Sequence, residues 1–233
     1  LKEAKYNDDQ GVLRYSIVTS GKRLTDEEVD QVCESIRKIK EETNIEVCFS
    51  FGLLKEEQLR KVREAGATRA HCNLETSRRY FPEICTTHTY DQKIETLKAA
   101  VAAGLSICSG GIMGLGETLE DRVDMVLTVK ELGVKSVPVN FLNPIPGTPY
   151  EDSKPLTDEE ARQCVAVFRF IIPDASIRLA GGRGLLDDKG KECFQSGANA
   201  AISGDMLTTA GITVQKDMEM LKDLGYKPQL WED

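Results

Sequence analysis

Cysteine, carboxamide, carboxylate and guanidinium side chains recur here at alternate positions of short apolar stretches. Arg14 and Ser16 alternate in RYSIVTS, Cys48 and Ser50 in IEVCFSF, and His71, Asn73 and Glu75 in AHCNLE. Ser106 and Cys108 follow in LSICSGG, Asn140 in VPVNF and Arg178 in SIRLA. The intervening positions are Tyr15 and Ile17, Val47, Phe49 and Phe51, Leu74, Ile107, Val137, Val139 and Phe141, and Ile177 and Leu179. Successive strand side chains point to opposite faces, so one face of a sheet gathers the polar set while the other can lie under helices. Thiolates bind metals, and a buried carboxylate needs a polar partner or ligand. A face carrying these groups is an active site rather than a core.

The rest of the composition narrows the class. The 233 residues suit one larger α/β domain, read here as spanning 1–233. No apolar run approaches the ~18 residues that a membrane span needs, and LKEAKYNDDQ has no apolar signal-peptide core. The net charge of −8, with no cluster of Lys and Arg, argues against nucleic acid as a partner. Seven cysteines with no CxxC pair fit neither a disulfide framework nor a zinc ribbon. In a cytoplasmic protein they are expected to be reduced thiols, buried or bound to metal. Cys33, Cys164 and Cys193, on predicted helices, read as small buried hydrophobes.

The elements that position the polar face repeat as strand, turn and amphipathic helix. Helices are expected near 25–43, 55–66, 90–104, 117–133, 157–172, 187–197 and 213–225, with capping boxes at Thr25–Glu28, Thr89–Gln92 and Thr157–Glu160. Counting a weak strand at 199–203 gives seven strands, and their alternation with helices implies a parallel sheet. The fold class is α/β, a parallel (β/α) TIM-type barrel. It is expected to be incomplete, with about seven units and the first one missing. A doubly wound sheet would make both parities apolar, whereas the polar parity here calls for a wet or cofactor-filled lumen.

Five motifs then match a known family. CSGGIMGLGET at 108–118, HCNLETS at 71–77, VPVNFLNPIPGTP at 137–149, IRLAGGR at 177–183 and GANAAISGDMLTTAG at 197–211 together resemble biotin synthases. These are radical S-adenosylmethionine enzymes, and the resemblance covers nearly the whole chain, with 199–233 as the family's C-terminal segment. It implies sulfur insertion between the C6 and C9 carbons of dethiobiotin inside a barrel, in a homodimer reduced by a donor such as flavodoxin or ferredoxin. It also implies two iron–sulfur clusters, a 4Fe-4S cluster that cleaves S-adenosylmethionine and an auxiliary cluster that donates sulfur. The family's CxxxCxxC loop, which holds the first cluster, is absent, so the chain resembles the C-terminal two-thirds of the enzyme and is expected to be inactive alone. Cys48, Cys108 and Arg178 stand at three auxiliary-cluster positions, but Ser16 occupies the fourth, where a 2Fe-2S cluster would take a third cysteine. Cys85, in EICTTHTY, and Cys72, whose parity is wrong without a bulge, are the substitute ligands. By resemblance, Glu75 contacts the cofactor's ribose, Asn73 bridges cofactor and substrate, and Gly110, Gly111 and Ile112 lie against the adenine. Asn140 would meet the ureido ring of dethiobiotin, and Thr208 and Thr209 its carboxylate.

Neighbouring classes remain open at this point. Hydrogenase-cofactor maturases and the pyrrolysine-pathway mutase share the barrel but should not need Asn140, Thr208 and Thr209 as a set. A cluster-free lyase or aldolase would offer a lumen lysine for a Schiff base, and no strand has one at the polar parity. A catalytically inert binding fragment is the remaining alternative.

Overall fold

The computed structural model describes residues 1–204 and 211–230, which fall into two compact units. The first comprises 1–72, 87–108 and the segment from 225; the second comprises 73–86 and 109–224. Among the described residues, no helix is long and apolar enough to cross a membrane.

The first unit starts with helix α1 (Lys2–Asp9) and strand β1 (Arg14–Val18), followed by α2 (Asp26–Glu42) and β2 (Glu46–Ser50). Next come α3 (Glu56–Glu64) and β3 (Arg69–His71). In the second unit lies the short α4 (Phe81–Ile84), after which the chain returns to the first for α5 (Tyr90–Ala102) and β4 (Ser106–Cys108). The remaining second-unit elements are β5 (Gly111–Met113), α6 (Leu119–Glu131), β6 (Ser136–Phe141) and α7 (Asp158–Ile171). They continue with β7 (Ser176–Leu179), a 3-10 turn (Arg183–Leu185), α8 (Lys191–Gln195), β8 (Ala200–Ala201) and α9 (Val214–Asp223).

All the paired strands run parallel, as right-handed crossover helices require. In the first unit Ser16 is in register with Cys48, Cys48 with Arg69, and Arg69 with Ser106; His71 is in register with Cys108. In the second, Ile112 pairs with Asn140, Pro138 with Arg178, and Arg178 with Ala200. Partners in a parallel ladder share a face, so within each unit the polar residues do lie together. Val47, Phe49, Ile107, Val137, Val139, Phe141, Ile177 and Leu179 form the opposite, buried face.

Local chemistry explains most of the helix boundaries. Thr25, Thr89 and Thr157 each accept the N–H three residues on, and the side chains of Glu28, Gln92 and Glu160 return the bond. Helices expected at 55–66, 117–133 and 187–197 are shorter, the last reduced to a turn and Lys191–Gln195. Four elements were not anticipated, one of them the 3-10 turn Arg183–Leu185. Residues 2–9, read as a polar lead-in, form α1, whose one buried residue is Ala4. Residues 81–84 form α4 with a proline in its first turn, and 111–113, read as a turn, form β5 beside β6. Glycine suppressed the strand signal there, because Gly111 has no side chain to alternate.

A buried ion pair closes the second unit. Arg183 and Asp217 are nearly inaccessible, and both guanidinium Nη atoms bond the carboxylate, at 2.9 and 2.7 Å. Asp217→Ala should lower unfolding stability in urea titrations by about 3–5 kcal/mol, because it strands a buried guanidinium. Cutting the exposed Arg162–Glu192 pair by Glu192→Ala should cost less than about 1 kcal/mol.

Candidate cofactor site

The second unit gathers the residues expected to hold the cofactor around one backbone junction. Beyond β3 the chain stays extended to Glu75, which bridges to Gly111 in parallel. The Glu75 N–H donates to the Gly110 carbonyl at 3.1 Å, and the Ile112 N–H donates to the Glu75 carbonyl at 2.8 Å. Asn73 closes the junction from its side chain: its Oδ1 accepts the Gly110 N–H at 3.0 Å, and its Nδ2 faces Glu75 Oε2 at 3.4 Å. Glu75 adopts φ +70°, a left-handed conformation that costs a non-glycine residue roughly 1–3 kcal/mol and clusters at functional sites.

Glycine makes this approach possible. A Cβ on Gly111 would lie 2.3 Å from the Glu75 carbonyl oxygen and 2.3 Å from Met125 Sδ; one on Gly110 would lie 2.0 Å from the Pro138 carbonyl oxygen. Asn140 ties the next strand in, donating from Nδ2 to the Gly111 carbonyl at 3.0 Å and accepting the Gly181 N–H on Oδ1 at 2.9 Å. In the segment 110–112 the Gly110 N–H and carbonyl, the Gly111 carbonyl and the Ile112 N–H are bonded within the protein, and half-buried Ile112 lies on the same face as Asn140.

The following loop is pinned by two acids. Glu117 accepts the Gly114 N–H at 2.8 Å and Arg122 Nε at 2.7 Å, and Arg122 Nη1 reaches Cys164 Sγ at 3.2 Å. Burial pushes the Cys164 thiol up despite the guanidinium. Asp121, 1% exposed, accepts Ser77 Oγ at 2.5 Å, Arg79 Nε at 3.1 Å, and the Thr118 N–H and hydroxyl, each at 2.9 Å. Arg79 Nη2 makes a further contact. Burial would raise this carboxyl, but these bonds outweigh it and hold it far below the usual carboxylate range.

In the first unit, the expected sulfur ligands Cys48 and Cys108 lie on one face, with Ser16 on the rung of Cys48. Cys108 Sγ is 3.4 Å from His71 Nδ1. Arg14 joins a different network, donating to Thr68 Oγ1 at 2.7 Å, and Thr68 in turn donates to Glu46. Arg69, buried between the Cys48 rung and Ser106, donates from Nε to Ser106 Oγ at 3.0 Å. It was missed, although 69, 71, 73 and 75 share one parity. The Cys72 N–H donates to the Cys108 carbonyl at 3.0 Å, which completes the His71–Cys108 rung at the end of β3. Cys85 caps α4 in the second unit and is half-buried. Among the described residues, no three His, Cys, Asp or Glu side chains converge as a metal-ion site. Arg178, in the second unit, donates from Nη2 to Ser136 Oγ at 3.0 Å, and among the described residues its buried Nε has no hydrogen-bond partner. An orphaned buried donor is costly without an acceptor, and a cluster sulfide would be one. The thiols of the first unit are, separately, the donor type an iron–sulfur group takes. Thr208 and Thr209 lie outside the described residues. Cys33, Cys164 and Cys193 are buried on helices, and burial followed by Asp188 pushes the Cys193 thiol up to about 12.

Comparison with known proteins decides the family. The Radical SAM superfamily matches residues 1–129, and the Biotin and Thiamin Synthesis associated domain matches 138–227. A biotin synthase of Akkermansia muciniphila is 58% identical over 230 residues, covering 99% of this chain and 72% of the relative. Biotin synthase 2 of Corynebacterium diphtheriae is 59% identical over 226 residues, covering 97% and 68%. The chain belongs to the biotin synthase family. It is a radical S-adenosylmethionine sulfurtransferase sequence, whose cofactors are S-adenosylmethionine and iron–sulfur clusters. Methylornithine synthase shares the fold at a TM-score of 0.83 and 19% identity, over 99% of this chain and 74% of that one. The FeFe-hydrogenase maturase of Carboxydothermus hydrogenoformans does so at 0.81 and 18%, over 99% and 59%. These likenesses show the fold, a parallel (β/α) barrel type.

Gly110→Ala and Gly111→Ala should each cost more than about 3 kcal/mol in denaturant titrations, since backbone must move. Gly133→Ala, at φ +71° with open space around it, should cost no more than about 1–2 kcal/mol.

Proposed function

We propose that this chain carries the cofactor-holding and sulfur-inserting part of a biotin synthase acting on dethiobiotin. The observation that carries the reading is the Asn73–Glu75 pair locked against Gly110–Ile112, with Glu75 held at φ +70°. When bound, S-adenosylmethionine supplies the radical and the auxiliary cluster the sulfur. The chain's own groups bind and orient. The Glu75 carboxylate accepts from the ribose hydroxyls, and the backbone of Gly110, Gly111 and Ile112 offers an adenine a surface to pack on. Asn73 stands between cofactor and substrate. Asn140, already bonded to Gly111 and Gly181, keeps one N–H and a lone pair for the ureido ring. Thr208 and Thr209 are the candidate contacts for the substrate carboxylate. Cys48, Cys108 and Arg178 would hold the auxiliary cluster, with Cys85 or Cys72 as further thiols and Ser16 as a poor oxygen ligand. An electron donor of the flavodoxin or ferredoxin type and a homodimeric state complete the reading.

Two measurements test it. In the full-length enzyme that carries the CxxxCxxC loop, anaerobic reconstitution should load iron and sulfide beyond one four-iron cluster, and Cys48→Ala or Cys108→Ala should remove that excess while sparing S-adenosylmethionine cleavage. A full iron load in both variants refutes the ligand assignment. Asn140→Ala should weaken dethiobiotin binding about ten- to a hundred-fold by calorimetry. Unchanged affinity would show that Asn140 serves only its two backbone partners.

A further inference from the structure

We infer that Asp121 is a positioning residue for the cofactor, the group that holds the Glu75 carboxylate in place by clamping the segment after it to the start of α6. The inference rests on the proposed role of Glu75 and extends it to a residue no motif singled out.

The first ground is a contrast among the capping boxes. In α2, α5 and α7 the residue at this position (Glu28, Gln92, Glu160) is exposed and its side chain returns a bond to its own cap; in α3 the equivalent Gln58 is buried and donates onward to Leu24 and Asp26, but it is an amide without charge. In α6 the equivalent Asp121 is turned inward and 1% exposed. Its cap, Thr118, supplies only some of its donors. Ser77 and Arg79 supply the others, both from the segment directly following Glu75. A helix start needs no such donors, so capping alone does not account for this carboxylate.

The second ground is the strain at Glu75. A residue held at φ +70° relaxes unless its flanks are fixed. Upstream and at the residue itself, the bonds to Gly110 and Ile112 fix it. Downstream, Ser77 is the first anchored side chain: its Oγ donates to Asp121 and accepts the Tyr80 N–H at 3.0 Å. Tyr80 then donates from its hydroxyl to the Leu115 carbonyl at 3.0 Å, a second tie to the glycine loop. Asp121 thus sets the spacing between the two segments that would flank the cofactor. Its bonds run to Ser77, Arg79 and Thr118, so it acts on Glu75 through the segment that follows it.

The test uses the cluster-loaded holoenzyme, with S-adenosylhomocysteine and its 2′-deoxyribose analogue as calorimetric probes. Glu75→Gln should weaken S-adenosylhomocysteine binding about tenfold or more and erase the preference over the deoxy analogue. Asp121→Asn should produce the same loss of preference with the deoxy analogue nearly unchanged, and the double variant should be no worse than either single one. A purely structural Asp121 would lower the melting temperature and leave the ribose preference intact, which overturns the inference. If Glu75→Gln keeps the preference, the reading of Glu75 fails whatever Asp121 does. Should Asp121→Asn not fold, Ser77→Ala carries the test, since it removes one donor and keeps the charge pair with Arg79. It should narrow the preference severalfold, and an unchanged ratio rejects the proposal.

Discussion

Glu75 and Gly111 meet backbone to backbone, and the candidate site in the second unit depends on how closely they do so. A methyl group on Gly111 would overlap the Glu75 carbonyl on one side and Met125 of α6 on the other. The absent side chain lets the extension of β3 bond to the segment entering β5, and it lets α6 pack behind both. Strain at Glu75 is then sustained by hydrogen bonds on each side. Sequence, local geometry and chemistry are linked at this junction. Glycine permits contact, contact forces the left-handed turn, and the turn determines where a carboxylate sits.

The amides next to this junction serve architecture first. Asn73 and Asn140 each spend an acceptor and a donor inside the protein, on Gly110 and Glu75 in one case and on Gly111 and Gly181 in the other. A side-chain amide has two donors and two lone pairs, so such a residue can hold the backbone and still present one of each. Substitutions there remove a ligand contact and a brace together. Affinity changes at these positions are therefore read against stability, whereas at Glu75, whose own backbone bonds survive a Gln replacement, they report on the ligand.

How legible this was from the chain alone depended on the kind of signal. The two-residue period brought Cys48, His71 and Cys108 together, and Asn140 with Arg178, because pleat geometry leaves a side chain no choice. The threonine-led capping boxes fixed three helix starts for the same local reason. Signals that depend on tertiary partners were invisible. Strand β5 hides behind glycine, α1 is a polar helix with almost nothing to bury, and Arg69 escaped although it continued a recognised alternation. Asp121 reads as a surface acid at a helix start; only the fold reveals that Ser77 and Arg79, more than forty residues upstream, point their donors at it.

The buried polar atoms left without partners carry the last step of the argument. Among the described residues, Arg178 Nε, Arg183 Nε and Glu117 Oε2 are buried atoms of charged groups without a partner, and all three belong to motif residues on which the resemblance rests. Leaving a charged group's atom unpaired costs more than leaving a neutral one, commonly ~1–3 kcal/mol and above. A fold keeps such a cost where a ligand will remove it. Arg178 already spends Nη2 on Ser136, which fixes the guanidinium plane and leaves Nε as a donor to something that is not protein. Sulfide-rich iron clusters carry negative charge and accept hydrogen bonds. A guanidinium held in this way is the kind of donor that such a group takes.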